Sequence, residues 1–374
     1  MTALELRQHL HQYPELSGKE YNTQALIYDL VKNLKPDKLE KIGQTSLIAQ
    51  FDSGVEGDHI LFRADYDALP IQEDLDLKYK SQKPGVSHKC GHDGHTAILY
   101  RFLELLQDAP LQKGKLSVLF QASEENGQGA KKVLDDPLFK DYDYNFAYAL
   151  HNIPGYPLGE VLWRNGNFSA GVASISFEWQ GLETHAAHPW EGTNPALLIS
   201  NTIAKVRKLE NPETSNSNFF LCTPVYAHLG DKDYGISPGK GGLHFTARAW
   251  QGKLLEENIE ALKEEAHHES EKGDLKLDIK RFEEFWPIVN SAEANAAITK
   301  AAKQANLSKR ELETPFSWGE DFGLFLKDKS GAMFGLGSGE DCKVLHHPDY
   351  NFPDELIEKG AGVFLEIYRQ HCHD

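Results

Sequence analysis

Cysteine and histidine are concentrated in one short run of this 374-residue chain. The run from Ser87 to Thr96, SHKCGHDGHT, holds three histidines, a cysteine and an aspartate. A single histidine in such a run is more often a solvated loop residue than a ligand. The Cys90-Gly91-His92 triplet with two more histidines beside it is different, because thiolate and imidazole at this spacing can both reach one divalent ion, or a close pair of ions, from a turn. We expect this turn to lead into a helix over Thr96–Leu106.

Three other positions offer similar side chains, each at or soon after the end of a predicted strand. They are Glu124 and Glu125 after Leu116–Gln121, His151 after Phe146–Leu150, and His346 after Ala332–Leu336. Each residue alone is more often part of an ordinary loop. In α/β proteins, however, ligands bind at the carboxyl ends of the strands. Several separate strand ends that all offer Cys, His or Glu therefore predict one common site.

The chemistry that such a set can perform is metal-assisted hydrolysis. Two divalent ions lower the pKa of a bridging water towards about 7 and stabilise the developing oxyanion. A carboxylate that is not bound to metal must then take the proton of the water and pass it to the leaving nitrogen. Of the adjacent Glu124 and Glu125, one can ligate while the other acts as the base.

Two other interpretations compete with metal-assisted hydrolysis. In the first, Cys90 is the nucleophile of a cysteine hydrolase and His92 or His95 is its base. That interpretation is disfavoured because it leaves the glutamates and the other histidines without a role. In the second, the chain is a metal-binding scaffold or sensor that has lost turnover. A free glutamate beside a ligating one argues against it, since a scaffold needs no base.

The composition narrows the classes of partner. The chain has 39 Lys and Arg against 56 Asp and Glu, a formal net charge of −17, which argues against a nucleic-acid or anionic-membrane binder. Only four cysteines occur, too few and too scattered for a disulfide framework. No signal-peptide pattern and no run of about 18 apolar residues is present. We therefore expect a cytoplasmic protein.

The elements that position these residues fall into two patterns. The first half alternates helix and strand, which predicts an α/β domain with a central, mostly parallel sheet. From Val172 the order becomes β-α-β-β-α-β, which is the ferredoxin-like pattern. Its predicted elements are Val172–Trp179, Asn194–Leu209, Phe219–Ala227, Leu243–Trp250, Leu254–Lys272 and Leu275–Arg281. The α/β pattern then resumes, which predicts a first domain over residues 1–168 and 284–374 with an inserted α+β domain over 169–283.

Seven segments together resemble the aminoacylase family of dinuclear metallopeptidases, in its amidohydrolase branch. That branch includes N-acyl-amino-acid amidohydrolases, hippurate hydrolase, auxin-conjugate hydrolases and N-acetyldiaminopimelate deacetylase. The segments span nearly the whole chain: LHQYPEL at 10–16, FRADYDALPI at 62–71, CGHDGH at 90–95, FQASEE at 120–125, LHN at 150–152, GEDF at 319–322 and Leu345-His346. The resemblance implies a catalytic α/β domain of the zinc-peptidase type interrupted by a lid and dimerisation domain.

The resemblance also implies a role for individual residues. Two divalent ions, of zinc, manganese, cobalt or nickel, are expected to bind to a set of five ligands: Cys90, His92, Glu125, His151 and His346. Glu124 is implied as the general base. Asp67 matches the carboxylate that orients a ligand in this family.

In the inserted domain the resemblance implies two residues that contact the substrate. His185 matches a lid histidine that polarises the scissile carbonyl, and Arg248 matches an arginine that binds the substrate carboxylate. The alternatives are a solvent-facing loop histidine and a surface ion pair. The lid also departs from the family, because residues 181–184 are GLET rather than a glycine-rich run and Gly235 stands where relatives carry asparagine.

These departures affect the part of the lid that contacts the substrate and leave the metal-binding motifs unchanged. We expect a small N-acyl amino acid as substrate, with a dipeptide as the alternative, and no nucleic-acid or membrane partner. The resemblance also allows a homodimer through the lid domain.

Overall fold

The computed structural model describes residues 1–373, and the chain divides into two compact units. Unit 1 comprises Met1–Phe168, Ile288–Pro315 and Glu320–Asp374, and unit 2 comprises Ser169–Pro287 and Phe316–Gly319. The predicted inserted domain begins at the first residue of unit 2, but it stops short of Pro287 and omits the short return segment Phe316–Gly319. That unit 2 is a lid and dimerisation domain stays a prediction.

The elements are joined by connections of very different length, the longest of which runs from the end of β3 at Asp65 to the start of α3 at His92. The strands are β1 (Lys38–Ile42), β2 (Ser46–Asp52), β3 (His59–Asp65), β4 (Lys115–Gln121), β5 (Phe146–Ile153), β6 (Val161–Trp163), β7 (Gly166–Ser169), β8 (Gly171–Gln180), β9 (Thr184–His185), β10 (Phe220–Leu229), β11 (Ile236–Ser237), β12 (Lys240–Ala249), β13 (Lys276–Phe285), β14 (Ile288–Asn290), β15 (Lys309–Glu311) and β16 (Ser330–Gly337). The α-helices are α1 (Ala3–Gln12), α2 (Tyr21–Lys32), α3 (His92–Leu106), α4 (Gly129–Asp135), α5 (Ala196–Leu209), α6 (Gly252–Lys272), α7 (Ala292–Gln304) and α8 (Leu356–Cys372).

Unit 1 is built on an eight-stranded sheet in the order β1-β2-β4-β3-β5-β16-β6-β15. Its four central strands, β4, β3, β5 and β16, run parallel to one another, and this confirms the predicted central, mostly parallel sheet. Every residue of β3 and β5 is buried, as expected for strands that are covered on both faces. The carboxyl ends of these four strands meet at one edge of the sheet, so the polar residues that follow them lie close together.

Large aromatic side chains anchor the helices to this sheet. Phe62 of β3 stacks on Phe364 of α8 at a ring distance of 4.7 Å and meets Phe102 of α3 edge-on at 5.0 Å. All three rings are fully buried. Because close-packed interiors resist deformation, this core holds β3, which ends at Asp65, in a fixed position relative to α3, which begins at His92.

The start of α3 corrects one expectation. The helix begins at His92, not at Thr96, so His92 and His95 lie on its buried first turn. Gly91 precedes it with a φ of 95°, a left-handed conformation that glycine adopts without steric cost. The sequence pattern alone misplaces the start because buried histidines in a helix need polar partners, and those partners come from remote strands.

Two further expectations differ in detail. Residues Asp321–Leu326, where the sequence pattern predicts a helix, form a short 3₁₀-helix rather than an α-helix, and the Glu320 side chain caps its first turn by accepting from the backbone N–H of Phe322 at 3.1 Å. The predicted set of elements also lacks several short strands, β1, β6, β7, β14 and β15 among them. β6, β7, β14 and β15 have three or four residues, too few for alternation to be recognised, and β1 is rich in charged residues and buries only Ile42.

Unit 2 is a four-stranded antiparallel sheet in the order β10-β12-β8-β13, with α5 and α6 supplying the helices of the pattern. This confirms the predicted ferredoxin-like α+β fold. Alternate residues of β8 and β12, such as Phe177 and Phe245, form a buried core with residues of the helices, such as Leu262 of α6. Among residues 1–373, no helix combines the length and the apolar character needed to cross a membrane.

Candidate metal centre

The carboxyl edge of the central sheet in unit 1 brings the five predicted ligands together. The Cys90 Sγ atom lies 3.5 Å from His151 Nε2, which comes from the end of β5. Glu125 follows β4, and its two oxygens each lie 3.7 Å from the Nε2 atom of a histidine, Oε1 from His92 and Oε2 from His346. Several sets of potential ligand atoms lie within 4.8 Å of one another at this edge. Two of these sets consist of predicted ligands with Cys90 in common, Cys90 with His92 and His151, and Cys90 with Glu125 and His346. A third set joins Glu124 to His92 and Glu125.

The donor atoms suit divalent metal ions. His92 Nε2 and Glu125 Oε1 are buried and have no hydrogen-bond partner, although buried polar atoms are nearly always hydrogen-bonded. Sulfur, imidazole and carboxylate together are the donors that zinc and related transition ions prefer. Burial and the charge of Glu125 raise the pKa of the Cys90 thiol, which a bound cation would counteract because coordination deprotonates a thiol. The residues therefore fit the implied metal ions.

Asp67 lies where the sequence resemblance suggested, behind two of the candidate ligands. Its Oδ1 is 3.2 Å from His92 Nδ1, and its Oδ2 accepts from the backbone N–H of Glu125 at 3.0 Å. Burial acts to raise the pKa of Asp67, but the hydrogen bond and charge of His92, with hydrogen bonds from Ser17 and the backbone of Glu125, together lower it. With Nδ1 engaged by Asp67, the ring of His92 directs Nε2 towards Glu125.

Asp65 and His95 complete the support of the centre. From the sequence, Asp65 was given no role, and His95 was considered only as the base of the alternative cysteine hydrolase. His95 Nδ1 lies 2.6 Å from Asp65 Oδ1, and its Nε2 contacts Asn152. Both ring nitrogens of His95 are therefore engaged, although it lies in the same sequence cluster as the candidate ligands. The Asn152 side chain in turn donates to the Tyr350 hydroxyl at 2.6 Å. The alternating Asp-x-Asp at the end of β3 was the available signal for Asp65.

Glu124 stands next to the candidate ligands in a strongly acidic environment. It is buried, and a ligand-type atom of it lies within 4.8 Å of oxygens of both Glu320 and Asp321. Burial, and then the negative charge of Glu320, raise the pKa of Glu124 well above its ordinary value. A carboxyl group with a raised pKa is suited to accept and hold a proton near neutral pH.

Arg63 balances this buried acidic cluster. Its guanidinium lies 2.6 Å from Asp65, 2.9 Å from Glu320 and 2.7 Å from Asp321, and the arginine is itself buried. Buried charges persist only when they are paired, so Arg63 allows Glu320 and Asp321 to sit beside Glu124. The sequence segment GEDF was noted as part of the resemblance, but nothing local linked it to Arg63.

His185 and Arg248 both lie in unit 2. His185 is exposed on β9, where it pairs with Ile236 of β11, and its Nδ1 accepts from the backbone N–H of Ala187 at 3.0 Å. Arg248 lies on β12 and donates to the Ser317 carbonyl at 2.7 Å. Gly235, which stands where relatives carry asparagine, is exposed. The substrate contacts of His185 and Arg248 stay predictions.

The sequence and the fold both match known proteins. The model of peptidase family M20/M25/M40 matches residues 61–370. The chain is 30% identical to N-acetyldiaminopimelate deacetylase of Exiguobacterium sibiricum, over 99% of each chain, and 31% identical to N-acetyl-L-cysteine deacetylase of Bacillus subtilis, over 96% of this chain and 86% of that protein.

A solved structure agrees with these sequence matches. The YXEP protein of Bacillus subtilis, described as a dinuclear metal-binding peptidase from the M20 family, superposes with a TM-score of 0.80 at 23% identity, over 98% of this chain and 96% of that one. At this identity the likeness concerns the fold, and it agrees with the α/β architecture of unit 1 and the small sheet of unit 2. The family resemblance expected from the sequence motifs is thus confirmed: the chain belongs to peptidase family M20/M25/M40 and is a metal-dependent hydrolase of amide bonds.

Proposed function

We propose that this protein is a dinuclear metal-dependent amidohydrolase that cleaves small N-acyl-L-amino acids into a carboxylate and a free amino acid. One observation carries the proposal: five side chains with metal-ligand chemistry converge at one sheet edge, with Glu124 beside them as a carboxyl group outside that set. The names of the similar proteins, an N-acetyldiaminopimelate deacetylase and an N-acetyl-L-cysteine deacetylase, support an N-acyl substrate.

The ligands separate into two groups that share Cys90. His92 and His151 belong to one group, and Glu125 and His346 belong to the other, which supports two ions held close together. When bound, such a pair of divalent ions supplies an acidified water and stabilises negative charge on the scissile carbonyl oxygen. The donors suit zinc, manganese, cobalt or nickel, and the proposal does not depend on which of them is native.

Glu124 carries the proton in this mechanism. Its carboxylate takes a proton from the attacking water, holds it at one oxygen and donates it to the leaving nitrogen when the amide bond breaks. The raised pKa of Glu124, caused first by burial and then by Glu320, favours this temporary protonation. Asp67 and Asp65 act through the histidines that they contact, because they hold the rings in fixed orientations.

In unit 2, His185 is proposed to polarise the scissile carbonyl and Arg248 to bind the substrate carboxylate. We expect His185→Ala to lower kcat by about 10²-fold, the usual loss when one oxyanion donor is removed. Steady-state kinetics of the metal-loaded variant measure this effect. A change in KM with an unaltered kcat would exclude the proposed role of His185.

A substrate panel tests the proposed function. Metal-reconstituted protein is assayed with N-acetyl, N-benzoyl and longer N-acyl amino acids and with free dipeptides. We expect hydrolysis of at least one N-acyl amino acid, loss of activity with a chelator, and recovery with added Mn²⁺, Zn²⁺, Co²⁺ or Ni²⁺.

The other outcomes are equally informative. Cleavage of dipeptides alone would indicate a dipeptidase. Metal binding without turnover on any substrate would indicate a scaffold. Activity that needs no metal and is lost with a thiol alkylator would make Cys90 a nucleophile and overturn the proposal.

A further inference from the structure

A lysine is buried directly beside the candidate metal centre, and the mechanism above does not use it. Lys89 precedes the candidate ligand Cys90, and its side chain is 0% exposed. Its Nζ donates to Glu73 Oε1 at 2.6 Å and to the backbone carbonyl of Tyr350 at 2.9 Å. Its own carbonyl accepts from the backbone N–H of His346 at 2.7 Å. One residue therefore holds both ends of the segment from His346 to Tyr350.

His346 depends on such a backbone anchor more than the other candidate ligands do. Its side chain is 53% exposed, so little packing restrains the ring. Its φ is 65°, a left-handed conformation that residues other than glycine adopt only occasionally and at some cost in energy. The position of its imidazole, 3.7 Å from Glu125, is thus set mainly by how the backbone of its segment is held.

Glu73 makes the buried ammonium of Lys89 stable. An isolated buried charge is very unfavourable, and it persists in proteins only with a paired and hydrogen-bonded partner. Glu73 is itself held by His11 Nε2 at 2.9 Å and by the backbone N–H of Ser81 at 2.8 Å. Burial acts against it, but the hydrogen bond and charge of His11 and the hydrogen bond from Lys89 lower the pKa of Glu73 to about 2, so Glu73 is a carboxylate at neutral pH.

The far end of the segment is equally well anchored. Tyr350 is fully buried, and its hydroxyl accepts from the side chain of Asn152, the neighbour of the candidate ligand His151. Lys89 thereby links three separate parts of the chain, the Cys90 turn, the His346 segment and the end of β5. None of these contacts would be needed if Lys89 only filled space.

We propose that Lys89 is a positioning residue that clamps the His346–Tyr350 segment to the Cys90 turn and so sets the affinity of the metal group formed by Cys90, Glu125 and His346. This inference rests on the proposed function. The other group adds His92 of α3 and His151 of β5 to Cys90, and both histidines are buried, so this group should depend much less on Lys89. The expected signature is therefore unequal, with one ion weakened and the other retained.

Metal binding to the metal-free protein tests the clamp. Lys89→Met removes the ammonium while preserving the length of the side chain, and Lys89→Arg restores a positive charge and donors. Each is titrated with Zn²⁺ by calorimetry and with Co²⁺ by absorbance spectroscopy. For the methionine variant we expect one site like that of the wild type, a second site weaker by about 10- to 100-fold, and a changed spectrum for the second Co²⁺ equivalent. The arginine variant should regain part of the loss.

His59→Gln serves as the matched control. His59 is buried at the opposite end of β3, where it contacts Ser117 Oγ at 2.8 Å and the Asp143 carbonyl at 3.1 Å. This variant should unfold at a lower temperature and still bind both ions normally. If Lys89→Met also unfolds earlier but binds two ions with wild-type affinities, Lys89 is only structural and the clamp is refuted.

Two further outcomes are decisive. If Lys89→Met does not fold, Glu73→Gln is tested instead, because it removes the charge that holds Lys89 in place. This variant should weaken the same metal site. Wild-type metal affinities in Glu73→Gln would overturn the proposal. The test measures metal binding and does not depend on turnover. If the wild type binds two ions but hydrolyses no N-acyl amino acid, only the proposed substrate class is refuted. The metal affinities of the variants still decide whether Lys89 acts as a clamp.

Discussion

Replacement of Glu124 by glutamine separates proton transfer from metal binding. The amide has almost the same shape as the carboxyl group but cannot accept the proton of the attacking water. A general base contributes about 10²- to 10⁴-fold to such reactions, so we expect kcat to fall by that factor, which corresponds to about 3 to 5 kcal/mol. KM should change little, because Glu124 is not among the residues proposed to bind the substrate.

The structure also predicts the stability of this variant. Burial and the charge of Glu320 raise the pKa of Glu124, so in the metal-free protein the folded state binds a proton more tightly than the unfolded state. The wild type therefore loses folding stability as the pH rises above 4.5, the ordinary pKa of a glutamate, and the neutral glutamine removes that loss. At about pH 7 to 8, the unfolding temperature of metal-free Glu124→Gln should therefore be equal to or higher than that of the wild type.

The assay combines kinetics, elemental analysis and thermal unfolding, with Glu125→Gln as the matched control. Glu125 is the adjacent residue, but its oxygens face His92 and His346, so its substitution should reduce the number of bound ions. Glu124→Gln should keep two ions per chain. Turnover within about 10-fold of the wild type would remove Glu124 from the mechanism, since a base is worth at least 10²-fold. Equal loss of metal in both variants would show that Glu124 is a ligand.

Three other changes test separate parts of the structure. Cys90→Ser should leave fewer than two ions per chain by elemental analysis, because both ligand groups share this sulfur and an alcohol is a far poorer ligand than a thiolate; unchanged content would exclude Cys90 as a ligand. Arg63→Met leaves buried carboxylates without their partner and should lower the free energy of unfolding by about 3 to 5 kcal/mol in denaturant titrations; a loss below about 1 kcal/mol would contradict the ion pairing. Burial lowers the pKa of His59, so the unfolded state takes up a proton at a higher pH than the folded state does. The wild type should therefore have a higher free energy of unfolding than His59→Gln above pH 6.5, and this difference should shrink as the pH falls. A difference that stays constant from about pH 7 to 5, around the ordinary histidine pKa, would refute this.

Local patterns in the sequence were sufficient for much of the fold. The order of the long elements of unit 2, β8, α5, β10, β12, α6 and β13, followed from their periodicity, whereas the two-residue strands β9 and β11 were not foreseen. The parallel sheet of unit 1 followed from alternating helices and strands. Short strands such as β6 and β15, of three residues each, were missed because so few residues carry no periodicity.

The candidate site divides in the same way. Cys90 and His92 were selected because their spacing suits joint ligation, and His151 and Glu125 because they lie at or beyond strand ends. The buried start of α3 was not foreseen, since it needs Asp65 and Asn152 from other strands to satisfy His95. Residue type could nominate ligands, but it could not tell which histidine of the cluster is already engaged by protein groups.

The amino-acid sequence by itself determined the family, the order of the elements and the chemical nature of the candidate ligands, because all of these are recorded in short stretches of chain. Only the tertiary structure decided which remote groups meet. Arg63 pairs with Asp321, 258 positions away, and Lys89 bonds to Tyr350, 261 positions away. Such pairs depend on the order of strands in the sheet and on exclusion of water from the core, and neither is a property of any local segment.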